Sequence, residues 1–209
     1  TIAPDKAGSV NQNNKEAGDV FEQRWASVAA ESKRYGKLSL GKGFTASYGT
    51  ASRDLSKTNV IAYVTVADTA GGMLFRQEDD DALTDLSIAQ AFQAYDGLNR
   101  RSRVRYDTPT YNGFQFSTSL LTDQRYDGAL WWGGQGNGFK AIAAASIADP
   151  KTDGADMQYA GSFSVLHDST GLNLTLSTGL LERNTQSDGK NYYGKVGWLK
   201  KFFSFGETA

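Results

Sequence analysis

Between Leu172 and Leu181 the side chains Leu172, Leu174, Leu176, Thr178 and Leu180 alternate with Asn173, Thr175 and Ser177. A period of two puts one set on each side of an extended backbone, so this segment reads as a strand with one apolar and one polar face. Phe114 to Leu121 repeats the pattern, with Phe114, Phe116, Thr118 and Leu120 on one face. Segments of about ten residues recur along the chain: Val20 to Ala30, Lys37 to Thr45, Asn99 to Thr108, Phe114 to Leu121, Tyr126 to Gly133, Phe139 to Ala148, Gln158 to His167, Leu172 to Leu181, Lys190 to Lys200 and Phe202 to Ala209. Short connections such as Glu31 to Gly36, Gly134 to Gly138 and Asp168 to Gly171 alternate with longer polar ones such as Asp149 to Met157 and Glu182 to Gly189. Ten strands joined in this way describe an all-β, antiparallel up-and-down meander with tight turns at one rim and loops at the other. Closure of such a meander gives a barrel.

Composition agrees with many strands: 12% aromatic residues and 23 Gly against only 3 Pro. The chain has 209 residues with Lys plus Arg 22 and Asp plus Glu 23, so a global electrostatic footprint for nucleic acid is lacking and nucleic acid is not expected as a partner. Cys is 0 and His is 1, which removes disulfides, thiolate chemistry and a multi-histidine metal centre. Apolar stretches such as Ala141 to Ala148 fall far short of the roughly 20 residues a membrane helix needs. A membrane barrel is compatible with the mean hydropathy of -0.48, because its strands need only about 9–11 residues and bury one face in lipid. Thr1 to Gly18 is polar and carries no leader peptide pattern.

The segment Ala46 to Leu98 interrupts the meander. A connection of more than about 15 residues inside a compact domain is usually functional or disordered. This one contains the apolar run Val60 to Val66, the pair Gly71-Gly72, the acidic run Glu78, Asp79, Asp80 and Asp81, and a stretch from Leu83 to Phe92 that reads as a helix. Directly after it, Arg101, Arg103 and Arg105 sit at alternate positions, so a strand points all three guanidiniums to one side about 6.6 Å apart. A row of like charges this dense requires water and counter-charge, which the acidic run and Asp85 can supply. The functional reading is an electrostatic constriction: basic residues on a barrel wall face acidic residues on an infolded loop and sort small polar solutes. The plainer reading makes both groups solvated surface. Aromatic residues gather near strand ends, among them Tyr106, Tyr111, Phe114, Trp131, Trp132, Tyr159, Tyr192, Tyr193, Trp198, Phe202 and Phe203. Interfacial girdles of a membrane barrel have this distribution, whereas in a soluble sandwich the same rings would be core.

Other motifs carry less. Gly36-Lys-Leu-Ser-Leu-Gly41-Lys42 has phosphate-loop spacing, but Gly43 follows where Ser or Thr is needed. Asp149-Pro-Lys-Thr-Asp153-Gly154-Ala-Asp156 resembles a calcium loop with Ala160 in the place of the terminal Glu, so it reads as an exposed loop that takes calcium only incidentally. His167 lies beside a turn and reads as a surface residue rather than a general base.

Tyr35-Gly-Lys-Leu-Ser-Leu-Gly-Lys42, and Tyr95-Asp-Gly-Leu-Asn-Arg-Arg-Ser-Arg-Val-Arg-Tyr-Asp-Thr-Pro-Thr-Tyr-Asn-Gly-Phe114, resemble the general diffusion porins of Gram-negative outer membranes. In that family an aromatic-Gly-x-Leu-x-Leu-Gly-basic strand precedes the constriction loop and an Arg-Val-Arg-Tyr-Asp-Ser/Thr-Pro hairpin follows it. Gln23-Arg24 and Lys195-Val-Gly-Trp-Leu-Lys-Lys-Phe-Phe-Ser-Phe-Gly206 are also porin-like, so the resemblance runs over most of the chain from Val20 onward. It implies a transmembrane barrel of the 16-stranded type, usually trimeric, with residues 46–98 folded into the lumen. The implied activity is passive diffusion of small hydrophilic solutes and ions, with no catalysis and no cofactor; the alternatives are a barrel channel with a specific substrate and a soluble β-rich carbohydrate-binding module. Outer-membrane lipid is an implied partner, and lipopolysaccharide or detergent would be incidental contacts. Lys42 and Arg105 match basic wall residues, with Arg24, Arg101 and Arg103 as companions, and Glu78, Asp79, Asp80, Asp81 and Asp85 are the acidic candidates on the loop. Lys42 shares its alternation with Leu38 and Leu40, so a lumen position requires a bulge at Gly41. A 16-stranded barrel needs about 300 residues or more, which implies that this chain is a piece of a larger porin lacking strands at both ends.

Overall fold

In a computed structural model the described residues are 2–4, 11–15, 21–59, 62–151, 154–203 and 206–208. Two short strands, β1 (Ile2–Pro4) and β2 (Phe21–Gln23), pair with each other. The main sheet begins with β3 (Ala26–Ser32) and β4 (Gly36–Phe44). Within the intervening long segment lie the four-residue helix α1 (Ala67–Ala70), the hairpin β5 (Leu74–Arg76) and β6 (Leu83–Ser87), and α2 (Ile88–Ala91). The sheet resumes with β7 (Arg100–Asp107), β8 (Phe114–Leu121), β9 (Tyr126–Gly136), β10 (Phe139–Asp149), β11 (Ala155–His167), β12 (Leu172–Arg183) and β13 (Gly189–Trp198). The chain then forms a small ribbon of β14 (Lys200–Phe203) and β15 (Gly206–Thr208).

The nine strands β3, β4 and β7 to β13 form one antiparallel sheet in chain order. It is the expected meander, and among the described residues it is open, with β3 and β13 as its edges. Three expectations change. The first sheet strand starts at Ala26 rather than Val20, because Phe21–Gln23 pairs with Ile2–Pro4 instead. The last expected strand, from Phe202 to Ala209, is broken into the β14–β15 ribbon. Leu83 to Phe92 is a strand followed by a single helical turn, because Ser87 forms a capping box with Gln90 and thereby starts the helix only at Ile88.

The distribution of polarity is inverted relative to a soluble sheet. On one face stand Leu38, Leu40, Val104, Phe116, Leu120, Leu130, Ile147, Phe163, Leu172, Leu176 and Val196, all exposed, with Leu120 at 65% and Val196 at 78%. On the other face the largest fully buried side chains are Ser and Thr: Ser117, Ser119 and Ser164 from the sheet and Thr45, Ser47, Thr50 and Ser56 from the long segment. Among the described residues the buried apolar cluster consists of Leu98, Leu121 and Ala148. Hydrophobic burial within this chain therefore contributes little to joining the segment to the sheet. Hydrogen bonds and ion pairs do it instead.

Outward aromatics sit at both ends of the strands. Tyr106, Phe114, Phe139 and Trp198 lie at the tight-turn end, where Tyr106 donates to the Tyr35 carbonyl at 2.7 Å and Trp198 to the Thr170 carbonyl at 2.7 Å. Tyr126 and Tyr192 lie at the other end, 47% and 79% exposed. Trp131 and Trp132 split between the faces as alternation demands: Trp131 donates inward to Ser117 at 3.2 Å, while Trp132 packs near Phe114 with ring centres 6.2 Å apart. The side chains of Phe202 and Phe203 lie outside the described residues.

Candidate functional site

The buried polar face and the segment laid across it form the candidate site. The segment leaves β4 and returns to β7, two strands that are themselves neighbours inside the sheet, so its ends are held together at one end of that strand pair. Thr45 donates to the Asn99 carbonyl at 3.0 Å and the Leu98 amide to Ser47 Oγ at 3.1 Å. Gly97 takes a positive φ of 72°, and a side chain there would lie 2.4 Å from the Ser47 backbone, so the return limb can approach this closely only as glycine.

Two arginines of the predicted row clamp the exit. Arg103 donates from Nε to the Phe44 carbonyl at 2.5 Å and from Nη1 to the Gly41 carbonyl at 2.8 Å. Arg105 donates from Nη1 to the Thr45 carbonyl at 2.7 Å and from Nη2 to Asp107 Oδ1 at 2.8 Å. Gly43 leaves room for this, since a Cβ at that position would meet Arg103 Nη2 at 2.8 Å. Beside the clamp Trp25 meets Phe44 edge to face with ring centres 4.7 Å apart, and Phe44 stacks on Tyr48 at 4.1 Å.

From there the backbone crosses the strands one after another. Ser119 Oγ of β8 accepts from the Ala46 amide at 2.7 Å, and Asp127 of β9 accepts from the Ser47 amide at 2.9 Å and its hydroxyl at 2.5 Å. Ser146 of β10 meets Thr50 Oγ1 at 2.6 Å. On β11, Ser162 donates to the Thr50 carbonyl at 2.6 Å and accepts from the Arg53 amide at 3.1 Å, while Ser164 accepts from Leu55 at 3.0 Å. On β12, Ser177 donates to the Ala51 carbonyl at 2.6 Å and Thr175 to Asp54 Oδ1 at 2.9 Å.

The crossing ends at Lys195 of β13. Its ammonium donates to Asp54 Oδ2, to Ser56 Oγ at 2.7 Å, to Thr58 Oγ1 at 2.8 Å and to the Ala62 carbonyl at 2.9 Å. Both members of the ion pair are nearly inaccessible, with side chains 11% and 5% exposed. Burial alone would raise the Asp54 carboxyl, but hydrogen bonds from Lys195, from the Ser56 backbone and hydroxyl, and from Thr175 hold it below its ordinary 3.8.

The predicted site residues divide accordingly. Arg101, Arg103 and Arg105 do share the segment-facing side of β7: Arg103 is buried, Arg105 half-buried and Arg101 exposed. Arg24 is half-buried just before β3. Lys42 lies on the other face, because β4 pairs without interruption from Lys37 to Phe44 and Lys42 stands opposite Ser102 and Ala26. Gly41 has a positive φ of 109° yet introduces no shift of register, so the bulge required for a lumen position is absent. Glu78, Asp79, Asp80 and Asp81 form the exposed tip of the β5–β6 hairpin, and Asp85 is exposed on β6. Asp81 pairs with Arg76 at 3.2 Å, and among the described residues no ion pair joins the acidic run to Arg101, Arg103 or Arg105. The counter-charges on the wall are Asp107 and Asp127. In the Asp149 to Asp156 loop, Asp149 receives the Lys151 ammonium at 2.8 Å, and Asp153 lies outside the described residues.

Sequence reasoning missed Asp54, Asp127, Lys195 and the Ser/Thr ladder. The available signal was the inward period itself, since Ser117 and Ser119, Ser162 and Ser164, and Thr175 and Ser177 occupy alternate positions. No family model matches the chain, and neither the curated proteins nor the solved structures contain a match to it.

Proposed function

We propose that this chain forms the wall and constriction segment of an outer-membrane porin of a Gram-negative bacterium. The pore passes small hydrophilic solutes and ions passively, without catalysis, in a transmembrane barrel of the 16-stranded type assembled as a homotrimer. The observation that carries this reading is the polarity of the sheet: a continuous outward face of exposed Leu, Val, Phe and Ile, and an inward face of Ser, Thr, Asn and Arg crossed by residues 45–58. Lipid satisfies the first face and water the second. Outward aromatics at both strand ends favour the same reading. A soluble carbohydrate-binding module would need the row Leu172, Leu174, Leu176 and Leu180 as its core, and Leu172 and Leu176 are 53% and 48% exposed.

The experiment is planar-bilayer conductance of the detergent-extracted full-length protein under a salt gradient. Stepwise openings with a measurable reversal potential are expected. Folded protein that stays silent, and that remains in solution without detergent, overturns the reading in favour of a soluble binding module.

A further inference from the structure

The charges that fix the segment to the wall are matched one by one: Arg103 by two carbonyls, Arg105 by Asp107, Lys195 by Asp54 and Asp127 by Ser47. Arg53 is different. It sits in the middle of the crossing, its backbone amide held by Ser162 at 3.1 Å, and its guanidinium lies over Trp131 of the wall at 5.6 Å from the ring centre. Its Nε is buried and has no acceptor. Among the described residues no ion pair joins it to a carboxylate. The neighbouring acids are engaged elsewhere: Asp54 accepts from Lys195 and Thr175, and Asp96 accepts from the Ala51 amide at 2.6 Å and the Ser52 hydroxyl at 2.8 Å.

A cation partly withdrawn from water without a counter-charge is unfavourable unless something supplies the missing acceptor. Burial accordingly pulls the Arg53 guanidinium below its ordinary pKa, though an arginine remains charged. Trp131 compensates only in part, since cation–π attraction leaves the edge donors of the planar fork unused. The buried Nε is out of a solute's reach, but Arg53 is only half-buried and its terminal Nη donors match the two oxygens of a carboxylate.

We infer that Arg53, held over Trp131, is a binding point for the carboxylate of a small organic anion on its way past the constriction. This deepens the pore reading and rests on it: the segment then selects as well as narrows, and the selecting charge comes from the loop rather than from the acidic hairpin tip. Arg53 touches the solute directly, and Trp131 is a positioning residue for it.

The test compares wild type, Arg53→Gln and Arg53→Lys in the full-length protein, with folding checked by circular dichroism. Benzoate is the probe. In bilayers, benzoate added to chloride solution is expected to reduce wild-type current, to do so about tenfold more weakly in Arg53→Gln, and to fall between the two in Arg53→Lys, which keeps the charge but loses the fork. Arg53→Gln should also move the reversal potential toward cations. Equal block and equal reversal potential in open channels of all three proteins overturn the inference and leave the pore reading standing. Should wild type form no channel, the pore reading fails, and the site is read by Trp emission during benzoate titration in detergent: quenching that Arg53→Gln abolishes supports the carboxylate site, and identical quenching in both overturns it.

Discussion

Lys195 binds a segment that lies up to 141 positions earlier in the chain, and it does so through four acceptors at once. Such an arrangement places a buried ion pair at the far end of a polar crossing, where removing one partner strands the other. Asp54→Asn is expected to destabilise the attachment by about 3–5 kcal/mol, and an Asp54→Asn, Lys195→Met double variant by less than the sum of the single changes. Urea unfolding midpoints check both. The same pair predicts a pH dependence. The folded Asp54 carboxyl is held below its ordinary 3.8, so its stabilising contribution is complete above the unfolded value and is lost as the pH falls through the lower folded value. The urea midpoint of wild type should therefore drop below about pH 4. In Asp54→Asn that acid drop should be smaller, and an equally large one would remove Asp54 from the cause. None of this was legible beforehand, because nothing local marks Asp54 off from the other carboxylates between Ala46 and Leu98. Its importance comes from a partner that only folding brings near.

At the scale of elements the alternation of β12 did predict its two faces. Leu172, Leu174 and Leu176 point away from the segment, while Asn173, Thr175 and Ser177 are buried, the last two bonded to it. Strand periodicity survives into the structure because each successive residue of an extended chain must turn to the opposite side, whatever the chain later packs against. The outward face yields a sharp contrast. Leu176→Arg should cost about 2–4 kcal/mol if that face meets lipid near the bilayer midplane, and within about 0.5 kcal/mol if it meets water. Folding yield into vesicles, followed by urea titration, distinguishes the two. Leu83 to Phe92 shows where local pattern misleads: helical spacing was present, yet Leu74–Arg76 offered a partner strand and Ser87 a cap, so the helix kept only Ile88–Ala91. Lys42 is the reverse case, since strict alternation was the correct guide and the uninterrupted register leaves it beside Leu38 and Leu40.

For the molecule as a whole, the proposed pore gives the arginine row two jobs that can be separated. Arg105 holds the exit of the segment through the Thr45 carbonyl and Asp107, whereas Arg101 is exposed. Arg101→Gln should shift ionic preference toward cations while leaving the segment as resistant to trypsin as in wild type. Arg105→Gln should do the same to selectivity and also loosen the exit, at about 1.5–3 kcal/mol for the lost charged hydrogen bonds, with faster cleavage near Lys57. Equal cleavage in the two variants would detach Arg105 from the clamp. The sequence by itself determined the antiparallel up-and-down order, with ten strands expected where the sheet has nine, the alternation of faces along the strands, the common side of Arg101, Arg103 and Arg105, and the long excursion between β4 and β7. These follow from side-chain period and turn chemistry, which act over a few residues. Tertiary structure alone decided that residues 45–58 lie across the Ser/Thr face, that Asp54 meets Lys195, that the acidic run stays at an exposed hairpin tip, and that Arg53 is left over Trp131 without an acceptor. The physical reason is that hydroxyls and carboxylates carry no periodic signature of their partners: a hydrogen bond between positions more than 100 residues apart, such as Ser162 with Thr50, exists only once the sheet has set the distance.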